Sequence, residues 1–309
     1  MTNFFKNLYY FALFFQLFNV NTAASVSNLK VLNGMKSVKE IVQTIVPIFK
    51  IYKYNEGIYL CNGVLIHPKA VLSSKACIQD FSAQSYAIGI FNWHQKEATI
   101  NPAKLYHVKY FLNSFMIFGY LHTDKPILKR KIDEYDFVTV YEPIILVMEK
   151  SINSILPTDI SKSLTSTDIY NENFEKTCFR IKIVQSNVGT YLIKNEFVFS
   201  YEMIHERNIL SSSDLIRIYN NSIHEKYNFN NNTSIHYINN DSVFVYNSSK
   251  ISDREISGLA GSPLICYAPG KGDQFSFTGI LIDILNDLPM YFVVNGNWLK
   301  QKLQFLKTL

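Results

Sequence analysis

Residues 61–77 read CNGVLIHPKAVLSSKAC, and this stretch decides the fold of the chain. It contains most of a β-rich run, Ile58 to Ile66, and has a cysteine at each end. Similar short runs recur between turn residues at Ala87 to Phe91, Phe137 to Val140, Phe179 to Val184 and Phe275 to Ile282. Because sustained helical periodicity is scarce, the pattern predicts an all-β barrel or sandwich, and the chain is long enough for two such units packed together.

The overall composition is that of a protein with a large core. Of its 309 residues, 48% are hydrophobic and 18% are charged, which excludes disorder for most of the chain. The formal net charge of +5 is spread without a dense basic block. We therefore expect no nucleic-acid partner.

The amino terminus predicts a signal peptide over residues 1–24. Lys6 is the only charged residue there, the apolar run Leu8 to Phe18 is too short to span a bilayer, and Thr22 and Ala24 are the small residues of a cleavage site. An ordinary buried strand or helix is the alternative. No other apolar stretch reaches the roughly 20 residues of a membrane helix, so we expect a secreted chain without a membrane span.

The cysteines and the glycosylation motifs also indicate a secreted protein. Four cysteines in a secreted chain favour disulfides, and four allow three pairings between which the local sequence does not choose. Five Asn-x-Ser/Thr motifs cluster in one polar window, residues 220–250, which we interpret as an exposed loop. The candidate glycosylation sites are Asn220, Asn231, Asn232, Asn240 and Asn247.

The end of the chain differs from the body. Trp298, Leu299, Leu303 and Leu306 recur at helical spacing, which predicts an amphipathic helix at about residues 295–307 that docks on the body. A helix lying on a membrane surface is the alternative that we weighed.

Three segments, in order, resemble the chymotrypsin-like serine protease family. The first is the stretch 61–77, the second is residues 134–140 (EYDFVTV), and the third is residues 257–266 (SGLAGSPLIC). The resemblance implies two packed six-stranded antiparallel β-barrels and a short C-terminal helix. The first barrel would cover about residues 31–155 and the second about 156–293.

The same resemblance implies that the catalytic chemistry is missing. Ala76, directly before the second cysteine, stands where the family has its catalytic histidine, and Ala260 stands where it has the nucleophilic serine. Asp136 matches the catalytic aspartate. In the third segment Gly258, in the oxyanion loop, is retained, whereas Leu259 replaces the aspartate that pairs with a new amino terminus on activation. The sequence is compatible with a loop that is fixed in one conformation and with a loose loop, as in a zymogen.

The resemblance also implies disulfides and an altered specificity pocket. The pairs would be Cys61 with Cys77 and Cys178 with Cys266. The pocket-equivalent positions are Arg254 at the base and Met290 on a wall, which would repel a basic side chain and partly fill the slot. A solvated surface arginine is the alternative for Arg254.

Other residues offer no replacement chemistry. Ser262 and Ser257 have no matched histidine, and no two of the seven histidines have metal-ligand spacing on a clear helix. We therefore expect no enzymatic activity, no metal and no other cofactor.

The function predicted is that of a secreted serine protease homologue that binds an extracellular protein. The partner would be a protease, a zymogen or a protease substrate, and the role that of a cofactor, decoy or regulator in a proteolytic cascade. The alternatives are an active endopeptidase with an unconventional nucleophile, and an abundant glycoprotein of a secretion such as saliva or venom.

Overall fold

The computed structural model of the chain describes fourteen segments. They are residues 36–53, 56–78, 82–93, 98–100, 104–113, 120–122, 143–170, 177–187, 196–204, 234–236, 243–245, 259–267, 274–285 and 288–308. The helices are α1 (Lys36–Gln43), α2 (Ser166–Tyr170) and α3 (Asn297–Leu306), with 3₁₀ turns at Lys75–Cys77, Ala83–Ser85 and Ile160–Lys162. The strands are β1 (Ile45–Lys53), β2 (Glu56–His67), β3 (Ala70–Ser74), β4 (Tyr86–Ile88), β5 (Phe91–Trp93), β6 (Ala98–Ile100), β7 (Tyr106–Asn113), β8 (Tyr120–His122), β9 (Pro143–Met148), β10 (Thr177–Asn187), β11 (Glu196–Ile204), β12 (Ser234–His236), β13 (Val243–Val245), β14 (Pro263–Tyr267), β15 (Phe275–Leu285) and β16 (Leu288–Val293).

Six strands close into an antiparallel barrel in the order β1-β2-β3-β9-β7-β4. Leu65 pairs with Val71 across β2 and β3, and Val71 pairs with Leu146 across β3 and β9. These side chains belong to one buried apolar cluster, to which each of the six strands contributes. Since successive side chains of a strand point to opposite faces, this cluster fills the inside of the barrel. We call it the barrel core.

A second sheet has eight strands in the order β13-β16-β15-β14-β10-β11-β6-β5. Two of them, β5 and β6, come from the part of the chain between barrel strands β4 and β7. The aromatic side chains of β5 account for its placement: Phe91 lies 5.1 Å from Phe197 and Trp93 lies 4.3 Å from Phe199, measured between ring centroids. Strand β6 pairs directly with β11. A separate two-stranded ribbon joins β8 to β12.

The largest apolar cluster lies between the barrel and the second sheet. It contains Val64 and Leu72 from the outward face of the barrel and Phe179 and Phe292 from the second sheet. Helices α1 and α3 complete it, and Leu299 of α3 is fully buried there. We call it the interface core.

The all-β fold class, the barrel and the C-terminal helix predicted from the sequence are confirmed. The second unit is found as an eight-stranded sheet, which takes two strands from the first half of the chain. The window 220–250, interpreted as loop, contains the short strands β12 and β13. The run Val243–Val245 is apolar enough to pair with β16.

Residues 1–24, the run Phe137 to Val140 and the asparagines of all five glycosylation motifs lie outside the described residues. In the segments that the structure does describe, no helix is both long enough and apolar enough to cross a bilayer.

Candidate functional site

The 3₁₀ turn that carries Ala76 is fastened to the end of β3. The buried Ser74 caps it, because the Ser74 hydroxyl oxygen accepts a hydrogen bond from the Ala76 N–H at 3.0 Å. The same hydroxyl donates to the carbonyl oxygen of Ile282 on β15 at 2.6 Å. Ser74 therefore links the turn to the second sheet as well as to the barrel.

A disulfide and a serine brace the same turn. Cys61 on β2 is bonded to Cys77, and both side chains are buried. The Ser73 hydroxyl lies 3.2 Å from the Cys77 sulfur and donates to the carbonyl oxygen of Asn62 at 2.6 Å. Both polar neighbours of the buried Ser73 hydroxyl are protein atoms, so this hydroxyl ties β3 to Asn62 and to the disulfide.

The segment Leu259–Ser262 lies against this group and is buried throughout. The Asn62 N–H donates to the carbonyl oxygen of Ala260 at 3.1 Å, which attaches the segment to the barrel. The Gly261 N–H donates to the carbonyl oxygen of Leu281 at 2.8 Å, which attaches it to the second sheet. Backbone hydrogen bonds thus hold the segment from both sides, and we call it the docked loop.

Gly261 is the one position in the docked loop where only glycine fits. Its φ is +74°, a conformation that L side chains rarely adopt. A Cβ added there would lie 1.8 Å from the carbonyl oxygen of Asn62 and 2.4 Å from the Ser73 hydroxyl. The close approach of the docked loop to the barrel depends on the missing side chain.

The structure brings together the two alanines that the resemblance places at catalytic positions. Ala260 is fully buried as a member of the barrel core, and the partly buried Ala76 packs against the same cluster. A methyl group accepts no proton and has no lone pair with which to attack a carbonyl carbon. The site therefore has a docked loop held by backbone hydrogen bonds and no reactive side chain at either alanine.

Leu259 points away from Ala260 into a third apolar cluster. This cluster includes Cys178, Cys266 and Tyr291, and Leu259 is 2% exposed in it. The cysteines form the second disulfide, the pairing that the resemblance implies. Because an apolar side chain occupies the position, packing adds to the backbone hydrogen bonds that hold the docked loop.

The remaining candidate residues are divided between described and undescribed parts of the chain. Asp136, Arg254, Gly258 and Ser257 lie outside the described residues. Met290 is fully buried in the interface core.

Neither a serine nucleophile nor a metal centre is assembled in the described segments. The Ser262 hydroxyl is buried and has no hydrogen-bond partner among the residues described. Over that same part of the chain, no group of three or more His, Cys, Asp or Glu side chains is placed to hold a metal ion.

Sequence reasoning missed the polar contacts beneath the site. Ser73, Ser74 and Asn62 all occur in the stretch 61–77, where they are buried among apolar residues. The signal was the pair of serines at the end of the apolar run 70–74, which the structure shows as a fully buried strand. Buried hydroxyls need hydrogen-bond partners, so this pair indicates polar contacts at the end of β3.

A buried arginine, paired with a partly exposed glutamate, supports the second sheet. Arg180 on β10 lies opposite Glu202 on β11, and its Nε donates to the Glu202 carboxylate at 2.8 Å. Burial opposes the charged form of Arg180, but the neighbouring Tyr291 and Glu202 raise its pKa overall. Burial raises the pKa of Tyr291 to about 12, although Arg180 lowers it in part. The guanidinium therefore stays charged and the phenol stays neutral at physiological pH.

Stability is expected to fall in alkali as Tyr291 ionises. Its pKa in the folded protein lies above the ordinary value of 10, so its contribution is complete below pH 10 and is lost as the pH rises through about 12. Burial raises the pKa of Tyr59 and Tyr201 as well. The loss attributable to Tyr291 is up to about 3 kcal/mol. Urea unfolding between pH 9 and pH 12, with tyrosinate absorbance followed in parallel, measures it.

The exposed Tyr52 supplies the control, since Tyr52→Phe should leave the pH profile unchanged. A profile that is flat from pH 9 to pH 12 would contradict the burial of Tyr291.

No family model matches the chain, and a search of the curated proteins finds no match either.

Proposed function

We propose that the chain is a secreted, non-catalytic homologue of the chymotrypsin-like serine proteases that acts by binding another extracellular protein. The observation that carries this proposal is the position of Ala76 and Ala260. Both pack on the barrel core, and the disulfide Cys61–Cys77 and the docked loop surround them. The docked loop is fully buried, while the side chains at both positions that the resemblance makes catalytic are methyl groups.

The missing chemistry is large in energetic terms. Peptide hydrolysis by this arrangement needs an oxygen nucleophile, an imidazole to move its proton and a carboxylate to orient the imidazole. Loss of the nucleophile and base together lowers turnover roughly 10⁶-fold, which corresponds to about 8 kcal/mol of barrier. The buried Ser262 does not supply the missing oxygen, because a substrate carbonyl has no access to its 0% exposed side chain.

The compartment and the partner class follow from the same proposal. The two disulfides are bonds that persist in oxidising surroundings, and the predicted signal peptide would deliver the chain there. A scaffold that is maintained without catalysis is suited to binding a protease, its zymogen or its substrate. We therefore assign the protein a regulatory role in an extracellular proteolytic cascade.

Covalent labelling tests the non-catalytic part of the proposal. The purified protein is incubated with a fluorophosphonate probe and, separately, with a fluorogenic peptide library, beside a Ser262→Ala variant. We expect neither labelling nor turnover above background, and no difference between the two proteins. An adduct mapped to this chain and lost in Ser262→Ala would overturn the proposal in favour of an active endopeptidase.

Crosslinking in the native extracellular fluid tests the binding part. Ala76 is partly exposed at the site, so Ala76→Trp adds bulk there, and Ala83→Trp adds the same bulk on another 3₁₀ turn of the barrel. We expect a specific partner that the Ala76→Trp variant loses and the Ala83→Trp variant retains. Equal recovery by both variants would remove this site as the binding surface, and recovery of no partner by the unmodified protein would remove the proposed function.

A further inference from the structure

A polar cleft lies where the segment between β9 and β10 meets the second sheet. In this segment the buried Ser163 donates its hydroxyl hydrogen to the carbonyl oxygen of Phe277 on β15. Asn295, between β16 and α3, donates from Nδ2 to the carbonyl oxygen of Ser163 at 2.7 Å. Three distant parts of the chain therefore meet at Ser163. The cleft beside it has a volume of about 530 Å³, which is within the range of small-molecule sites.

The wall of the cleft is polar throughout. Every residue that lines it carries a hydroxyl, amide, carboxylate or ammonium group, and none of these lining residues is aliphatic or aromatic. Small-molecule sites are usually lined mainly by apolar side chains, so this cleft departs from the common type. An apolar ligand would find no apolar surface there to cover. The composition of the wall favours a ligand that forms hydrogen bonds along its whole edge.

Hydrogen bonds inside the protein fix much of this wall. The Thr165 N–H and hydroxyl donate to the Asp168 carboxylate at 2.9 and 2.8 Å. The bond from Ser163 to β15 and the bond from Asn295 to Ser163 hold the base of the cleft. Because these groups are already fixed by one another, a ligand loses little affinity to the ordering of the wall.

Other lining groups keep hydrogen-bonding capacity for a ligand. Gln274, directly before β15, is half-buried, and its amide makes no hydrogen bond to the residues that the structure describes. The Asn295 amide uses its nitrogen for Ser163, which leaves Oδ1 as an acceptor. Lys162 is exposed at the rim and adds an ammonium donor. Donors and acceptors are thus present side by side, and groups that both donate and accept fit them best.

The charges around the cleft favour a ligand without net charge. Lys162 and Asp168 both line it, and their charges are opposite. Asp159 is the neighbouring acid: hydrogen bonds from the Ser161 hydroxyl and N–H, together with the charge of Lys162, lower its pKa, so it is ionised. With two carboxylates against one ammonium, an anion is disfavoured, while Lys162 on the wall disfavours a cation.

We propose that this cleft binds a neutral saccharide. Each sugar hydroxyl both donates and accepts, so neighbouring hydroxyls can pair with the two ends of the Gln274 amide, while others donate to Asn295 Oδ1 and accept from Lys162. Since no aromatic ring lines the cleft for stacking, we expect a dissociation constant on the order of 1 mM. The cleft shares no lining residue with the docked loop, so this inference goes beyond the proposed function.

NMR titration of the intact protein tests the proposal. The probes are the methyl glycosides of glucose, mannose and N-acetylglucosamine, observed by saturation transfer. We expect millimolar binding of at least one of them that does not change with salt, weakened about fivefold by Gln274→Ala and severalfold by Lys162→Met. Gln84→Ala, at an exposed glutamine on a 3₁₀ turn of the barrel, is the matched control and should bind as the unmodified protein does. Thermal unfolding of each variant checks that it is folded.

A second titration distinguishes two sources of the same chemistry. A glycopeptide that carries a neutral glycan is compared with the free glycoside that bound. Tighter binding of the glycopeptide assigns the cleft to glycans on proteins, and equal binding assigns it to free sugars; both results support the proposal when Gln274→Ala weakens them.

Three results would overturn the saccharide proposal. One is the absence of binding by all three glycosides at concentrations far above the expected constant. Another is binding that Gln274→Ala and Lys162→Met leave unchanged. The third is displacement of the bound glycoside by a heparin fragment with an affinity that falls with salt, or by glycine, because either would assign the cleft to a charged ligand. None of these results bears on the crosslinking test, so the proposed function would stand.

Discussion

Replacing Gly261 with alanine is expected to lower the free energy of unfolding by about 3 kcal/mol or more. A φ of +74° costs an alanine on the order of 1 to 2 kcal/mol by itself. The new methyl group would also lie 1.8 Å from the carbonyl oxygen of Asn62, a backbone atom that gives way only if the strand or the loop moves. Either movement breaks the hydrogen bond from Asn62 to Ala260 and exposes part of the barrel core.

Equilibrium unfolding in urea, followed by tryptophan fluorescence, measures the effect. Gly89→Ala is the matched control, because a Cβ at Gly89 meets only side-chain atoms, of Phe49 and Pro47 at 3.1 Å and of Ile100 at 3.2 Å. Since Gly89 has no positive φ and its neighbours need to give way by only a few tenths of an ångström, this control should cost about 1 kcal/mol, clearly less than Gly261→Ala. Equal midpoints for the two variants would show that the docked loop does not depend on close contact with the barrel.

Removal of the disulfide between Cys178 and Cys266 is expected to be more costly still. The two cysteines are 88 positions apart in sequence, and the chain-entropy model assigns such a cross-link about 4.5 kcal/mol. The paired variant Cys178→Ala, Cys266→Ala also loses apolar contacts with Leu259 in the third cluster. We expect a large loss of stability, with the docked loop affected because Leu259 belongs to the same apolar cluster as this bond.

The other disulfide provides the comparison. Cys61 and Cys77 are 16 positions apart, which gives about 3 kcal/mol in the same model. Urea midpoints of the two double-alanine variants, corrected for their slopes, should therefore fall in that order. The reverse order would mean that local contacts of Ser73 and Ala76 outweigh chain entropy.

The parts of the fold that could be predicted from sequence are the local ones. The stretch 61–77 contains the end of β2, all of β3 and the turn with Ala76, so its β pattern is readable without the rest of the chain. The pairing of Cys61 with Cys77 came from the family resemblance, because the local sequence does not choose between the possible pairings. Helix α3 is equally local, because four apolar residues at helical spacing determine which face is buried.

The contacts that escaped prediction join distant residues. Ser74 bonds Ile282 across 208 positions, and no pattern within a strand indicates that partner. Strands β5 and β6 belong to the second sheet because β6 pairs with β11 and Phe91 and Trp93 of β5 contact aromatic residues of β11, a tertiary preference that no three-residue run reveals. The proposed roles of Asp136 and Arg254 stay predictions from the resemblance.

The placement of β5 and β6 also affects how the chain reaches its folded state during synthesis. A nascent chain that ends before β11 holds Phe91 and Trp93 with no strand to cover them, although the six barrel strands have already been made. Until Phe197 and Phe199 leave the ribosome, the exposed aromatic side chains of β5 can bind chaperones or other incomplete chains. We therefore expect the first half of the chain to complete its folding only after β11 has been synthesised.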